Sequence, residues 1–274
     1  MHASLFLPVL LALATSANAA LFRSPNVKSL TSRSFKKAVQ GSPKLTLATF
    51  TAPWCGYCKQ LAPELDKVAD SLKGLVNIVN VDCDEDQNKQ VCAEYGVQVD
   101  EVADPSDFSS RFPNAQGLSI LFPGGSAPSR SYDGPRTAKD MISHATNSMP
   151  TFVKRATSLD DVKGLKSKAT KKPISLLFTS AGKVTPLYKA LSTDFHKVID
   201  FYAARDTKVG PEALEAFGVQ KLPALLVLKG GDVVEKYEGP LKYDKIHAFL
   251  KVHGGSATTG SKDEEKKKPG HSEL

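Results

Sequence analysis

Two cysteines stand two residues apart in Trp54-Cys55-Gly56-Tyr57-Cys58-Lys59, a spacing that occurs nowhere else among the chain's four cysteines. Thiols so placed can close a disulfide within one turn of a helix, and after one has attacked a foreign disulfide the other can release the product. The flanking sequence makes that chemistry usable. Lys44 to Phe50 alternates and is rich in β-formers, which predicts a buried strand, and Cys58 to Leu72 repeats apolar residues at helical spacing. A strand therefore delivers Cys55 to a helix N-terminus. There, unpaired backbone N–H groups and the positive end of the helix dipole favour thiolate over thiol. Cys55 is the predicted nucleophile and Cys58 the resolving cysteine. Trp54, Gly56, Tyr57 and Lys59 shape the site without bonding to substrate sulfur.

The run Thr51-Ala52-Pro53-Trp54-Cys55-Gly56-Tyr57-Cys58-Lys59-Gln60-Leu61-Ala62-Pro63-Glu64 resembles the active-site segment of the protein disulfide isomerase family, of thioredoxin fold. The resemblance implies an enzyme that forms, reduces and rearranges disulfides in unfolded or misfolded secretory proteins. It would exchange electrons with a thiol oxidant or glutathione and use no cofactor and no metal. Two positions depart from the family pattern. Tyr57 stands where the family usually carries His, whose imidazolium stabilises the thiolate, so a higher Cys55 pKa and a more reducing couple are expected. Thr49 stands where the family tends to bury a carboxylate that takes the proton from the inner cysteine, so water or another group must serve Cys58.

Cys83 and Cys92 resemble the second cysteine pair of some family members, which implies a structural disulfide; two buried free thiols are the competing reading. A zinc site made from all four cysteines fits poorly, because the second pair is nine positions apart.

The chain has 274 residues, 41% hydrophobic and 24% charged, a globular composition with room for two domains. Its net charge of +7 arises from Lys and Arg scattered among 29 acids, without the aromatic interleaving of a nucleic-acid surface. No nucleic acid and no membrane insertion are expected. Residues 1–19 read as a secretory signal: they contain no Asp, Glu, Lys or Arg, run apolar from Leu5 to Ala14, and end in small residues. His271, Ser272, Glu273 and Leu274 resemble a retrieval signal of the endoplasmic reticulum lumen, with Ser where that signal has an acid, which implies a retrieval receptor as partner. The expected compartment is the lumen of that organelle, which suits a redox pair.

The predicted fold class is α/β, with two tandem thioredoxin-like domains of central mixed β-sheet flanked by helices. The first, about 22–148, is redox-active; the second, about 150–253, lacks the cysteine pair; a charged tail follows over 254–274. In the first, strands near Val27–Leu30, Lys44–Phe50 and Leu75–Asp82 lead to a helix over Asp84–Tyr95, and Leu118–Phe122 is the next strand. Between them, about 99–116 interrupts the family pattern, either as a genuine insertion or as translated intron. The family's cis-proline turn has only a doubtful counterpart there, Pro113. Tyr132, Gly134 and Arg136 match a structural pattern of the family. In the second domain, strands are predicted near Pro173–Thr179, Val198–Ala203, Leu225–Leu228 and Val233–Tyr237, with Pro223 as a candidate cis-proline. Ser180-Ala181-Gly182-Lys183 stands where the first domain has its cysteines. His144 and His247 are expected to pack rather than catalyse. The rival functional class is a client-binding chaperone of the endoplasmic reticulum with weak or no redox turnover.

Overall fold

The computed structural model describes residues 21–97, 118–124 and 128–254. The signal segment 1–19, Pro113 and the segment 99–116, and the tail with its terminal His271, Ser272, Glu273 and Leu274 lie outside the described residues. In chain order the first unit contains β1 (Val27–Leu30), α1 (Ser32–Gln40), β2 (Thr46–Thr51), α2 (Gly56–Ser71), β3 (Asn77–Asp82), α3 (Lys89–Glu94), β4 (Leu118–Phe122), β5 (Arg130–Ser131) and α4 (Ala138–Ser148). The second contains β6 (Val153–Ala156), α5 (Leu159–Lys168), β7 (Ile174–Thr179), α6 (Pro186–Phe195), β8 (Asp200–Arg205), α7 (Asp206–Val209), α8 (Pro211–Ala216), β9 (Ala224–Lys229), β10 (Asp232–Lys236) and α9 (Tyr243–Gly254).

Each unit is built on a five-stranded sheet, ordered β1-β3-β2-β4-β5 in the first and β6-β8-β7-β9-β10 in the second. The orders are the same strand for strand. β2 runs parallel to β3 and antiparallel to β4, just as β7 runs parallel to β8 and antiparallel to β9. Two thioredoxin-like domains of mixed sheet follow one another in the chain. The duplication reaches individual turns: Tyr132 donates its hydroxyl to Pro135 O at 2.7 Å, and Tyr237 donates to Pro240 O at 2.8 Å. The glycine between each pair leaves room for the ring, since a Cβ at Gly134 or Gly239 would meet the Tyr132 or Tyr237 hydroxyl.

The central strand β2 is buried along its whole length, as a strand covered on both faces must be. Leu47 belongs to a core with Leu61, Leu65 and Val68 of α2 and Met141 of α4. Ala48 and Phe50 turn to the other face, where Phe35, Val39, Val91 and Cys92 pack. Burying a side chain of Leu or Phe size contributes about 1.5–3 kcal/mol, so these two layers hold α2 firmly at the strand end. Glu64 adds a polar tie by accepting a hydrogen bond from Ala138 N at 2.7 Å, joining α2 to the start of α4.

The structure differs from expectation in three places, one of them the short α7, which was not foreseen. Asp84–Tyr95 is not one helix but a 3-10 turn, Asp86–Asn88, followed by the short α3. Asn88 is the cause: it is buried, donates to Asp82 O at 2.8 Å and accepts from Ser32 N at 2.9 Å, which pins the chain before a regular helix can begin. β6 and α5 were not foreseen at all. β6 is an edge strand carrying Lys154 and Arg155, which hides its alternation; the capping box of Ser158 and Asp161 was the available sign of α5.

Lys44 joins the two domains. From the loop entering β2, its Nζ lies 3.1 Å from Asp194 Oδ1 of α6, donates to Tyr243 Oη of α9 at 2.9 Å and to Gly74 O at 2.8 Å, and sits 4.7 Å from the Tyr243 ring centre. Tyr243 donates in turn to Asp194 Oδ2 at 2.6 Å. Burial lowers the Lys44 pKa against the opposing pull of Asp194; burial, reinforced by Asp194, pushes the Tyr243 phenol up.

Tyr188 is likewise raised by burial. Both phenols stay protonated in the folded protein where unfolded ones titrate, near pH 10, so the unfolded chain binds fewer protons above that pH. Stability is therefore complete below about pH 10 and falls by roughly 1.4 kcal/mol per pH unit per tyrosine above it. Lys44 acts the other way, since the native state sheds its proton first, but two phenols outweigh one amine. Urea midpoints measured from about pH 9 to about pH 11.5 should drop through this window, and Tyr188→Phe should make the drop shallower.

Candidate redox site

Cys55 is the N-cap of α2. Its backbone is extended (φ −71°, ψ 112°), and Cys55 O accepts from Lys59 N at 3.1 Å to open the helix. Its Sγ accepts a hydrogen bond from Cys58 N at 3.2 Å, the place where a cap serine or aspartate would put its oxygen. The sulfur thus faces the unpaired amides of the first turn. No acidic residue lies in that turn to oppose a negative sulfur. Cys55 and Cys58 are joined by a disulfide with their Cα atoms 5.2 Å apart.

Both sulfurs are sheltered, in a small cluster with Ala52 against which Leu21 and Trp54 pack. What a partner meets first is Gly56, Lys59 and Tyr57, all exposed, Tyr57 by 42%. Trp54 is held by its indole, which donates to Asp84 Oδ1 at 2.8 Å, while Asp84 N donates to Asp82 Oδ1 at 3.0 Å. Asp82 and Asp84 were not singled out from sequence. The available sign was an acid-rich strand end, Asp82-Cys83-Asp84, beside the strand that delivers the cysteines. The Asp82 carboxyl is pushed up chiefly by burial.

Under α2 the sheet carries a polar row where an apolar core would otherwise continue. Thr49 pairs in register with Asn80 of β3 and Ser119 of β4, and all three are buried. Thr51 donates its hydroxyl to Asn80 Oδ1 at 2.9 Å, whereas the Thr49 hydroxyl has no hydrogen-bond partner among the described residues. No carboxylate replaces the one missing at Thr49 within this row.

On the opposite face, Cys83 and Cys92 form a second disulfide, Cα atoms 5.9 Å apart and both fully buried. It ties the end of β3 to α3, and Cys83 N donates to Thr51 O at 2.8 Å, one strand away from the redox loop. In the second domain the corresponding loop holds Ser180-Ala181-Gly182-Lys183 and no cysteine, and the Leu222–Pro223 peptide is cis. His144 packs on the Tyr132 ring and His247 between Phe195 and Tyr243.

Residues 26–100 match the family model Thioredoxin, and residues 149–255 match A6-like, middle domain. A rice protein, protein disulfide isomerase-like 2-2 of Oryza sativa, is 31% identical over 271 residues, covering 92% of this chain and 68% of its own length. The chain belongs to the protein disulfide-isomerase family. It is also similar to protein disulfide-isomerase MPD1 of Saccharomyces cerevisiae, 30% identical over 68% of this chain and 58% of that protein. A third relative, a mitochondrial thioredoxin domain-containing protein of Schizosaccharomyces pombe, is 31% identical over 82% of this chain and 59% of its own. The chain therefore spans somewhat over half the length of these last two relatives.

In this member of the protein disulfide-isomerase family, the buried second disulfide closes a loop of nine residues' separation. A loop of that size stabilises by about 3 kcal/mol through the unfolded state. The Cys83→Ala/Cys92→Ala double variant should lose about that much in urea unfolding, with Cys55 alkylation unchanged.

Proposed function

We propose that the chain is a thiol-disulfide oxidoreductase and isomerase acting on secretory client proteins in the endoplasmic reticulum lumen. The observation that carries this reading is the placement of Cys55 as sulfur cap of a sixteen-residue helix, bonded to Cys58 one turn on. The family membership and the sequence signals at both chain ends support it. Among the described residues no helix is long and apolar enough to cross a membrane.

In oxidation, a client thiolate attacks Cys55 Sγ and the Cys55–Cys58 bond breaks, sending its electron pair to Cys58 as thiolate. A second client thiolate then attacks the client sulfur of the mixed disulfide and expels Cys55. The client gains a disulfide, the protein is left as the dithiol, and a thiol oxidant or oxidised glutathione restores it. In isomerisation, the Cys55 thiolate attacks a client disulfide and expels one client thiolate, and another client thiolate then displaces Cys55 to leave a rearranged disulfide; if Cys58 displaces the client instead, the client is reduced and the 55–58 disulfide is restored. Cys58 is as buried as Cys55, and with Thr49 in place of a carboxylate its proton must be exchanged through water or another group.

The test is alkylation. In the reduced protein at neutral pH, iodoacetamide should modify Cys55 about ten times faster than a free thiol, and mass spectrometry should find the 55–58 link after air oxidation. Equal rates at Cys55 and in free cysteine would overturn the proposal. The exposed Tyr57 supplies a second check. Tyr57→His places an imidazole at the helix start and should make the couple more oxidising by about 30 mV, a tenfold change in the glutathione equilibrium. Equal potentials would show that this position does not tune the pair.

A further inference from the structure

We propose that the second domain binds acidic segments of polypeptide in a cavity at the carboxyl ends of β6, β7 and β8. This is the end of the sheet at which the first domain carries its cysteines, and where open α/β sheets generally take ligands. In the second domain the loop from Thr179 to Thr185 leaves a cavity of about 130 Å³ there.

Its floor is apolar and its rim is cationic. Arg155 of β6, Ala203 of β8 and Leu177 of β7 lie in one row across the sheet, and Thr179 and Arg205 pair in the next row on the same face. Ala156, Ala203 and Leu177 are buried, while Arg155, Lys183, Arg205 and Lys208 line the cavity from exposed positions. A Cβ at Gly182 would lie 3.7 Å from Nη1 of Arg205, so that guanidinium is turned over the loop rather than away from it.

None of these four cations has an acidic partner among the described residues, although other lysines of the same domain do: Lys166 pairs with Asp232, Lys172 with Asp200 and Lys236 with Glu238. The neighbouring carboxylates are engaged locally. Asp161 accepts from Thr157 and Ser158, and Asp206 accepts from Thr207 N. Four positive charges around one hollow repel each other unless an anion enters, and the start of α6, capped by Thr185, adds the positive end of its dipole.

The occupant follows from shape and charge together. The cavity accommodates one carboxylate-bearing side chain, with apolar floor for its methylenes, and the cations spread along the rim suit further carboxylates on an extended chain. A small free anion would touch only exposed cations, which gain little singly. The proposal deepens the reading above by naming a class of client, and it rests on that reading only for the word client, because the binding test contains no thiol step.

Fluorescence anisotropy with the full chain and a cysteine-free labelled peptide of alternating Glu and Leu tests it. The peptide should bind at least about ten times tighter than its Gln counterpart and weaken as salt rises from about 50 to about 300 mM. Arg155→Ala/Arg205→Ala should weaken binding about tenfold or more, while Lys229→Ala/Lys251→Ala, which removes the same charge elsewhere, should not. Equal loss in both double variants, no preference over the Gln peptide, or inorganic phosphate binding as tightly as the acidic peptide would overturn it. Unchanged thermal midpoints of both variants establish that the fold is intact.

Discussion

Cys55→Ser will abolish insulin reduction and the refolding of scrambled ribonuclease, lowering both rates by at least about a thousandfold. The expectation follows from the identity of the attacking atom. A hydroxyl at the same helix cap receives the same amide hydrogen bond, but serine stays protonated at neutral pH and cannot enter disulfide exchange. Cys58→Ser should behave differently. Its Cys55 thiolate still attacks client disulfides, but the intramolecular resolving thiol is gone and only a client thiolate can release the adduct, so mixed disulfides should accumulate on a non-reducing gel. If wild type and Cys55→Ser both suppress aggregation of an unfolded client and neither turns over, the protein is a client-binding chaperone and the redox assignment fails.

Lys44→Met will destabilise the protein by about 3–5 kcal/mol, the usual cost of leaving one member of a buried ion pair without its counter-charge. Asp194 is buried with a side-chain exposure of 7%, and the Lys44 side chain is 14% exposed, so neither can recover its lost partner fully from water. For a chain of this size the change corresponds to a fall in melting temperature of roughly 2–4 °C for each kcal/mol. Lys44 and Gly74 belong to the first domain, whereas Asp194 and Tyr243 belong to the second. Loss of the lysine should therefore also separate the unfolding of the two domains. Calorimetry should show one transition in the wild type and two in Lys44→Met, and Lys44→Met/Asp194→Leu should recover part of the lost stability because no uncompensated charge remains buried. A single unshifted transition in Lys44→Met would mean that the lysine does not couple the domains.

Both experiments address features of different visibility. The redox pair was legible because its signal is local: two cysteines at fixed spacing, a β-rich run before them and a helical pattern after them are all contained in about thirty consecutive residues. The second domain was legible from its last four strands for the same reason, but β6 was not, because an edge strand of four residues with two charged side chains has no alternation to detect. The break of the expected 84–95 helix was hidden too, since it depends on Asn88 finding Asp82 O and Ser32 N, partners that only the folded sheet brings within reach.

By itself the sequence determined the chemistry available to this protein: which sulfurs are paired two residues apart, that a helix begins at the first of them, and that the second domain has none at the matching loop. Only the tertiary structure decided what surrounds that chemistry. The Thr49, Asn80 and Ser119 row comes from three strands, the Lys44, Asp194 and Tyr243 junction from two domains, and the cationic rim of Arg155, Lys183, Arg205 and Lys208 from two strands, a loop and a short helix. The physical reason is that helix capping and thiol spacing are set by neighbours in the chain, whereas burial, charge pairing and cavity shape depend on groups far apart in it, and those meet only when the sheets assemble.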